Sequence, residues 1–435
     1  MYAKRRQRLL NRLGDGMLIL PTAPHAIRNG DVHYSFRAGS DLHYLTGFDE
    51  PNSLLVAWRT GAATHRSVLF VPPRDRAREI WDGPRAGVRG AVKQFGVDEA
   101  FAIEQLWEKL GELLGAHARV FHTLARDPAF DRRLLQVCAH NAAKQRRGNP
   151  PAHPVLEDPL PAIADLRLIK DADELARMAV AARITARGHC RAMQGAAPGM
   201  IEYEVQSLVE TEFRNQGSAR NGYDSIVASG PNACILHYVK NDRRIRRGEL
   251  LLIDAGAEWE HYTADITRTF PVGGGFSEPQ KAVYAAVLKA QKAAIRSVKE
   301  GATWDAPHKT CLRVLTRELI ALGVLRGRPD SLLKKGACRT WFMHGTSHWL
   351  GMDVHDAGTY QEPDGKPLRL RAGMVLTVEP GLYFDRRDTS VPKELRGIGV
   401  RIEDDVVVEK RGPRVLTDGV PKEIREIEAL CVGGG

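Results

Sequence analysis

The segment ELLLIDAGAEWEHYTADITRTFPV (residues 249–272) alternates apolar and polar residues on both sides of a polar centre. This pattern predicts a β-hairpin, and we place its turn at Trp259 and Glu260. Asp254 then lies directly across from Asp265, with Cβ atoms about 5 Å apart. The opposite face carries the apolar residues expected of a core, namely Leu251, Ile253, Ala255, Ile266 and Phe270.

Two carboxylates that face each other across a hairpin repel each other and destabilise it. A cation bound between Asp254 and Asp265 would reverse the sign of that interaction. The alternative is a register one residue away, in which both aspartates are exposed to solvent. The hairpin alone therefore leaves a metal site and a polar surface open, and further ligands must come from elsewhere in the chain.

Two glutamates lie in similar apolar settings. Glu379 ends the run GMVLTVEPG (373–381), in which a Pro-Gly pair stops the predicted strand. Glu403 lies in GIGVRIEDDVVV (397–408), and period-two alternation points Arg401 to the same face, so these two side chains could form a salt bridge. A carboxylate within an apolar strand is unfavourable unless it is paired or binds a cation.

Together the four acids carry four negative charges, which two divalent cations would balance. A single cation would leave a net negative charge that is costly to bury. Ligation mostly by oxygen suits manganese or a similar first-row ion better than a structural zinc. The sequence therefore predicts a two-metal site built from Asp254, Asp265, Glu379 and Glu403.

The segment FMHGTSHWLGMDVHDAG (342–358) supplies three imidazoles. His344 and His348 would share one face of a helix, as in zinc proteases, but those helices carry Glu after the first His and this chain has Gly345. The Gly-Thr-Ser run is also a poor helix former, so we expect a loop or a strand end. Spacing alone leaves metal ligation, proton relay and a solvated loop open for these histidines, of which His355 is the third.

The composition excludes several classes of protein. Hydrophobic residues make up 43% and charged residues 27% of 435 residues, as in a soluble protein of about two domains. The net charge of +10 is dispersed among acidic segments, so we expect no nucleic-acid partner. No run approaches the ~20 apolar residues of a membrane span, and the six cysteines form no CxxC pair. We expect a cytoplasmic protein with reduced thiols and no membrane partner.

The order of elements predicts an α+β fold in two domains. A mixed α/β domain is expected over residues 1–168, and a proline-rich segment (146–167) lies near its end. A second domain is expected over residues 169–435, because two predicted helices followed by strands occur twice and so indicate a duplicated unit. The predicted helix pairs are 171–194 with 202–217 and 277–301 with 306–325. In the first domain we predict strands at 16–21, 52–58 and 65–73 and helices at 104–116 and 130–147.

With these residues identified, the sequence resembles the pita-bread (creatinase-fold) metallopeptidases and, within them, the aminopeptidase P family. The motifs that carry the resemblance are ILHY, LLIDAG, YTADITRTFPV, MHGTSHWLGMDVHDAG, VLTVEPGLY and GIGVRIEDDVVV, with GSDLHYLTGFDEP and REIWDG in the first domain. They span nearly the whole chain. The resemblance implies a pita-bread catalytic domain and a metal-dependent hydrolase. Such an enzyme cleaves the Xaa-Pro bond at peptide N-termini through a hydroxide that bridges two metal ions.

The resemblance also implies a role for each site residue. The five metal ligands fall on Asp254, Asp265, His348, Glu379 and Glu403, and Asp265 and Glu403 are shared between the two ions. Glu379 moves the proton of the attacking water to the leaving nitrogen. The histidines at 237 and 355 contact the scissile carbonyl, and His344 contacts the peptide beyond the scissile bond. The remaining candidates are Tyr383 and Arg401 in the wall of the proline pocket and Asp41, which we expect to pair with Arg401 across the domains.

The implied cofactors are two divalent ions, most simply Mn²⁺, with Co²⁺ or Zn²⁺ as alternatives. The implied partners are peptides with proline at the second position and further copies of the chain in a homodimer or homotetramer. A prolidase, which cleaves Xaa-Pro dipeptides, shares all five ligands and is the closest alternative. A non-catalytic pita-bread binding module typically lacks the ligands, all of which are present here. The only departures within the motifs are conservative ones such as Thr346, and none falls on a ligand.

Overall fold

The structure is a computed structural model that describes residues 1–115, 117–144 and 153–431. The chain divides into two compact units, residues 1–166 and 167–435. Residues 146–152 of the proline-rich segment lie outside the described residues, as do residues 145–147 of the predicted helix 130–147. Helices and strands are mixed in both units, which confirms the α+β class.

In the first unit, most of the strands join one mixed sheet. The strands are β1 (Met17–Pro21), β2 (Ile27–Asn29), β3 (Val32–His33), β4 (Leu54–Arg59), β5 (His65–Val71), β6 (Glu99–Ala102), β7 (Arg119–Phe121) and β8 (Val155–Glu157). The helices are α1 (Tyr2–Leu13), α2 (Ser40–Thr46), α3 (Arg76–Asp82), α4 (Gly87–Phe95), α5 (Leu106–Leu114), α6 (Pro128–Lys144) and α7 (Leu160–Leu168), the last of which runs into the second unit. Among the described residues the sheet order is β6-β5-β4-β1-β7-β8, and β2 and β3 form a separate hairpin.

The long apolar runs of the first unit were predicted correctly. The three predicted strands are confirmed as β1, β4 and β5, and the two predicted helices as α5 and α6. Alternate residues of β1, β4 and β5 pack with α5 in one apolar core. β6, β7 and β8 were not predicted, because strands of three or four residues are too short to show a periodicity.

The second unit repeats a pair of helices followed by strands. Its helices are α8 (Ala172–Gly195), α9 (Glu202–Asn215), α10 (Glu278–Ser297), α11 (Ala306–Ala321), α12 (Pro329–Lys334) and α13 (Ile424–Cys431). Its strands are β9 (Arg220–Asn221), β10 (Ile226–Ser229), β11 (Leu250–Ala255), β12 (Ala257–Trp259), β13 (Tyr262–Thr263), β14 (Ile266–Pro271), β15 (Val375–Val378), β16 (Gly381–Tyr383), β17 (Gly399–Arg401), β18 (Asp404–Glu409) and β19 (Gly412–Val415). The described strands form the sheets β10-β11-β14, β13-β12-β9, β15-β18-β19 and β16-β17.

The helix pairs begin where the sequence predicts. Asp171 caps α8 in a reciprocal capping box with Glu174, and at the start of α10 the backbone N–H of Ser277 donates to the Gln280 side chain. These bonds satisfy backbone N–H groups that the start of a helix leaves without partners. The pairs α8–α9 and α10–α11 both pack helix against helix, so the predicted duplication of helix pairs is confirmed.

The predicted register of the hairpin 249–272 is wrong. Asp254 in β11 lies across from Thr267 in β14, not from Asp265. The turn consists of Glu260 and His261, whose φ angles of 48° and 67° are those of a two-residue hairpin turn. A turn placed one residue too early shifts every cross-strand partner by two positions, which keeps the same face towards the core. The predicted apolar face is confirmed, since Leu251, Ile253, Ala255, Ile266 and Phe270 all lie in the main core of this unit.

The hairpin is also interrupted halfway along. After Ala255 the chain leaves the β10-β11-β14 sheet and enters the small sheet of β9, β12 and β13. Gly256 lies at this crossing, where a Cβ atom would approach the carbonyl oxygen of Ala264 to 1.8 Å. Only glycine fits so close to another backbone, and the interruption leaves Asp265 between strands.

The other two predicted acidic strands are interrupted in the same way. β15 ends at Val378, so Glu379 follows it directly, but Gly381 starts a new strand instead of ending one. The single strand predicted over 397–408 is two strands, and Glu403 lies in the gap between β17 and β18. β17 pairs with β16 and β18 pairs with β15, so the chain changes sheets at Glu403.

A buried ion pair holds the end of the histidine segment 342–358. The Asp356 carboxylate accepts hydrogen bonds from Lys170 Nζ at 2.8 Å and Arg167 Nη2 at 2.5 Å. Burial alone would raise the pKa of Asp356, but the charges of Lys170 and Arg167 lower it below its ordinary value. Its contribution to stability is therefore present above the unfolded-state pKa and is lost as pH falls through the lower folded-state pKa.

No helix in the described ranges combines the length and the apolar character needed to cross a lipid bilayer. The six cysteines all carry free thiols.

Replacement of Asp356 by Asn should destabilise the protein strongly. The variant removes the carboxylate that neutralises buried Lys170 and one of the two carboxylates that pair with Arg167, which keeps Asp353. We expect a loss of about 3–5 kcal/mol in the free energy of unfolding. The matched control is Asp364→Asn, which removes an exposed pair with Lys366 and should leave the melting temperature unchanged. Equal melting temperatures for the two variants in a thermal unfolding scan would contradict a stabilising role for Asp356.

Candidate active site

A cavity of about 380 Å³ opens in the second unit where the interrupted strands meet. Most of the predicted site residues line it, namely His237, Asp254, Asp265, His344, His348, His355, Glu379, Arg401 and Glu403. The remaining lining residues are Tyr223, Asp224, Ile226, Leu236, Val239, Gly345, Ser347 and Val354. The fold thus brings together side chains from β11 and β17, from gaps between strands and from the histidine segment 342–358. The residues in the gaps are Asp265, Glu379 and Glu403.

Asp254 and Asp265 are joined through a tyrosine. The Tyr223 hydroxyl lies 2.7 Å from Asp254 Oδ1 and 2.5 Å from Asp265 Oδ1, so its single proton is shared between two carboxylates. Burial, followed by the charges of Asp254 and Asp265, raises the pKa of Tyr223 well above its ordinary value. The hydroxyl therefore stays protonated and acts as a donor within a negatively charged cluster.

His348 directs one ring nitrogen at the carboxylates. Its Nδ1 donates to the carbonyl oxygen of Trp349 at 3.0 Å, while Nε2 lies 3.4 Å from Asp265 Oδ2 and 3.8 Å from Glu379 Oε1. Burial alone would lower the pKa of His348, but Asp265 and Glu379 raise it to about 9. A carbonyl partner on one nitrogen that fixes the other towards acidic groups is the usual arrangement of a metal-ligating histidine.

The two glutamates add charge that the protein does not neutralise. Burial raises the pKa of Glu379 to about 7, although the charges of His348 and Arg401 oppose this rise. Burial and the charges of Asp265 and Glu379 raise the pKa of Glu403 well above its ordinary value. The hydroxyl of Thr267 donates to Glu403 Oε2 at 2.7 Å.

This set of donors fits a metal site. One ligand atom from each of Asp265, His348 and Glu403 lies within 4.8 Å of the other two. Buried carboxylates at such separations repel one another, and divalent cations are the natural counter-charge for oxygen-rich ligands. Of the four predicted acids, Asp265 and Glu403 belong to this group, whereas Asp254 and Glu379 line the same cavity outside it. Asp254 and Asp265 meet through a change of sheet and not as a cross-strand pair.

Arg401 has a different partner from the predicted one. Its Nη2 donates to Asp254 Oδ2 at 2.6 Å, its Nε to Thr267 Oγ1 at 3.0 Å and its Nη1 to the Tyr383 hydroxyl at 3.2 Å. The expected salt bridge with Glu403 does not form, because the strand ends at Arg401 and the chain turns into another sheet before Glu403. Asp41, in the first unit, lies 3.8 Å from Arg126, and its pairing with Arg401 stays a prediction.

The other histidines border the cluster. His344 accepts a hydrogen bond from the Tyr383 hydroxyl at Nε2 (2.7 Å) and donates from Nδ1 to the carbonyl oxygen of Gly345 (2.6 Å). Burial, followed by the charge of Arg401, lowers the pKa of His344 to about 3, so its ring is neutral. The His355 ring packs edge-on against that of His348 at 4.5 Å, and burial lowers its pKa. His237 also lines the cavity, and its side chain is exposed.

Two polar residues of the site were missed from the sequence. Tyr223 lies in a short segment before β10 that has no apolar alternation, and Thr267 faces the acids from within β14. Both are ordinary strand and loop residues in composition, so no local signal separates them from their neighbours. Only the correct register of β11 and β14, which pairs Asp254 with Thr267, would have identified Thr267.

Comparison with known proteins gives consistent results. The sequence pattern of metallopeptidase family M24 matches residues 176–410, and that of the aminopeptidase P N-terminal domain matches residues 2–121. The chain is 40% identical over 432 residues to the Xaa-Pro aminopeptidase of Escherichia coli (strain K12), an alignment that covers 99% of this chain and 97% of the relative.

Solved structures are similar over the full length. The structure of Pseudomonas aeruginosa aminopeptidase PepP has a TM-score of 0.96 and 45% sequence identity and covers 100% of this chain and 98% of that chain. A structure of Zn-substituted E. coli aminopeptidase P in complex with product has a TM-score of 0.95 and 39% identity, with coverage of 100% and 98%.

Divalent metal should stabilise the protein through the clustered carboxylates. We expect saturating Mn²⁺ to raise the free energy of unfolding by about 3 kcal/mol at a hundredfold excess over Kd. Glu403→Gln should lose this stabilisation, whereas without metal it should be at least as stable as the wild type, because one buried like charge is removed. Melting temperatures with Mn²⁺ and with EDTA measure both effects.

The matched control for this test is Glu409→Gln at the far end of β18, which alters an exposed pair with Arg414 of β19 and should keep the full metal response. A Glu403→Gln variant with the wild-type response to Mn²⁺ would remove Glu403 from the set of ligands.

Proposed function

The chain belongs to metallopeptidase family M24 and is a metal-dependent Xaa-Pro aminopeptidase, and we propose that Asp254, Asp265, His348, Glu379 and Glu403 hold its metal ions. The observation that carries this assignment is the convergence of four carboxylates and one directed imidazole on a single cavity. The excess of negative charge in that cluster supports two divalent ions, and its oxygen-rich donors support Mn²⁺, with Co²⁺ or Zn²⁺ as alternatives. Bound there, the ions would polarise the scissile carbonyl and lower the pKa of the attacking water.

Glu379 is proposed as the residue that moves the proton. Its carboxylate lies beside His348 and 3.5 Å from His344 Nδ1, and burial raises its pKa to about 7. A carboxylate with a pKa near the working pH can take a proton from water and return it to the proline nitrogen as the bond breaks. Glu379 can therefore alternate between its protonated and its deprotonated form without another titratable group.

The histidines around the cluster are proposed to bind the substrate. His237 and His355 line the cavity and supply ring N–H groups for the scissile carbonyl oxygen, where negative charge develops. His344 is neutral and fixed by Tyr383, so it can contact the peptide beyond the scissile bond. This division of labour separates one ligand histidine from three substrate histidines.

Arg401 and Tyr383 are proposed to shape the proline side of the cavity. The Arg401 guanidinium is the one Arg or Lys side chain among the described lining residues, and each of its three nitrogens already donates, to Thr267, Tyr383 and Asp254. A prolidase needs a cation for the free carboxylate of a dipeptide. The occupied guanidinium supports instead a cavity that accepts a chain continuing past proline, and Asp41 is proposed as a further substrate-side residue.

The natural substrates are proposed to be peptides with proline at the second position. Membership of the family supports a homodimer or homotetramer as the proposed assembly. A cytoplasmic location is also proposed, and the free thiols support it. Neither a nucleic acid nor a membrane is proposed as a partner.

Replacement of individual histidines should separate ligand from substrate residues. Elemental analysis of Mn²⁺-loaded protein should give two ions per chain for the wild type and for His355→Ala, and fewer for His348→Ala. Activity should be absent in His348→Ala and reduced by about 10²–10³-fold in His355→Ala, which loses a donor to the oxyanion. Equal metal loss in both variants would overturn the assignment of His348 as the ligand.

The length of the substrate should decide between aminopeptidase and dipeptidase activity. We expect kcat/KM for a Xaa-Pro-Yaa tripeptide to exceed that for the matching Xaa-Pro dipeptide, because no free cation awaits the dipeptide carboxylate. The control peptide with alanine in place of proline should not be cleaved. A clear preference for the dipeptide would make the enzyme a prolidase and leave the metal site unchanged.

A further inference from the structure

The buried carboxylate of Glu202 lies outside the metal cluster and is used by none of the steps above. Glu202, the first residue of α9, is fully buried. Its Oε1 accepts hydrogen bonds from Ser229 N (2.7 Å), Ser229 Oγ (2.7 Å) and Asn232 Nδ2 (3.2 Å). Its Oε2 accepts from the Tyr238 hydroxyl (2.7 Å) and from Arg243 N (2.9 Å). Five donors on one side chain saturate a carboxylate.

All five donors belong to one segment of chain, residues 229–243. We name residues 230–243 the His237 loop, because His237 lies at its centre. Ser229 and Asn232 are at its start, Tyr238 is in its middle and Arg243 is at its end, so Glu202 holds the loop at three places. Leu236, His237 and Val239 of this loop line the cavity.

The two ends of the loop have further support, since Ala233 is buried and Arg243 pairs with Glu249, but its centre has little. After a short 3₁₀ turn at Gly230–Cys234, the backbone N–H groups of residues 236–241 make no hydrogen bond to another backbone carbonyl in the described chain. Asn241 anchors the far end through its side chain, which bonds to Val227 N and Ser225 O. The cavity-lining residues are themselves half-buried or exposed, so packing alone does not fix them.

We infer that Glu202 is a positioning residue that holds the His237 loop in its substrate-binding conformation and thereby sets the affinity of the enzyme for its peptide. The inference rests on the proposed substrate-contacting role of His237. Glu202 touches neither substrate nor the metal cluster and acts through the loop.

A carboxylate is required at this position because both of its oxygens face donors. In Glu202→Gln the best arrangement keeps the amide oxygen with Ser229 and Asn232. The amide NH₂ then faces Arg243 N, which is left without an acceptor inside the protein. The Tyr238 hydroxyl can rotate to accept from the NH₂. The middle of the loop therefore keeps a hydrogen bond to residue 202, whereas the end of the loop loses one. The substitution therefore loosens the loop without removing the side chain.

A loop that is ordered for only part of the time weakens substrate binding in proportion to that fraction. Once substrate is bound, the loop is ordered and the reaction proceeds at its normal rate. The positioning role thus predicts a change in KM with kcat little altered, which differs from the loss of a catalytic group. A purely structural role would lower the melting temperature and leave KM unchanged.

The test compares Glu202→Gln with two further variants of the full chain. Tyr238→Phe removes one donor from the middle of the loop and keeps the ring. Glu204→Gln is the matched control, since Glu204 lies on the same turn of α9 and caps it through Ile201 N without touching the loop. For each protein, kcat and KM are measured with a Xaa-Pro-Yaa tripeptide, together with Mn²⁺ content and hydrogen exchange of residues 230–243 in metal-free protein.

We expect Glu202→Gln to raise KM by about 5- to 50-fold and Tyr238→Phe by a few-fold, with wild-type Mn²⁺ content in both. Exchange should be faster in residues 230–243 of both variants, and Glu204→Gln should match the wild type in every measurement. The inference is overturned if Glu202→Gln keeps the wild-type KM or the wild-type exchange rates. Should Glu202→Gln fail to fold, Tyr238→Phe decides, and a wild-type KM in that variant overturns the inference. A wild-type protein that cleaves no Xaa-Pro peptide would refute the proposed function, while the exchange comparison would still test the anchor.

Discussion

Repulsion among four buried carboxylates is the constraint that organises the second unit. Asp254, Asp265, Glu379 and Glu403 face one cavity, and the cations that the chain itself supplies there are Arg401, held by Asp254, and a His348 ring whose pKa is raised to about 9. These charged groups contact one another: Arg401 is bonded to Asp254, and His348 lies 3.4 Å from Asp265. An arrangement with so much like charge is unfavourable by itself, and divalent metal is its natural counter-charge.

The fold meets this constraint by interrupting its strands at the acids. Asp265, Glu379 and Glu403 all lie where the chain leaves one sheet and enters another, so none of them takes part in a continuous β-ladder. A side chain within a ladder points perpendicular to its sheet, whereas a side chain at a junction can point along it. Junctions from different sheets can thus direct their carboxylates at one point, which neighbouring positions on one strand cannot do.

The sequence predicted the parts of this arrangement that depend on local pattern. The helix pairs follow from capping residues and long apolar periodicity, and the apolar face of β11 and β14 follows from alternation alone. The partner of Asp254 could not be predicted, because a shift of the turn by one residue preserves the apolar face while exchanging Asp265 for Thr267. The roles of Arg401 and Tyr223 depend on where the chain changes sheets, and no local pattern marks that position. The motifs that resemble a known family gave the proposed ligands without the geometry, since motifs are recognised by residue identity.

The interruption at Glu403 has a consequence for how the protein is made. The metal cluster draws Asp254 and Asp265 from one half of the second unit and His348, Glu379 and Glu403 from the other. During synthesis the first half emerges with its paired aspartates but without the imidazole, the arginine and the glutamates that surround them. Its helices can pack early, since α8 and α9 contact each other directly. The acidic pair, however, has neither Arg401 nor a complete set of ligands until almost the whole chain has left the ribosome. With the proposed ligands, metal binding would therefore come late in synthesis, and a chain truncated before residue 403 would lack part of the proposed site.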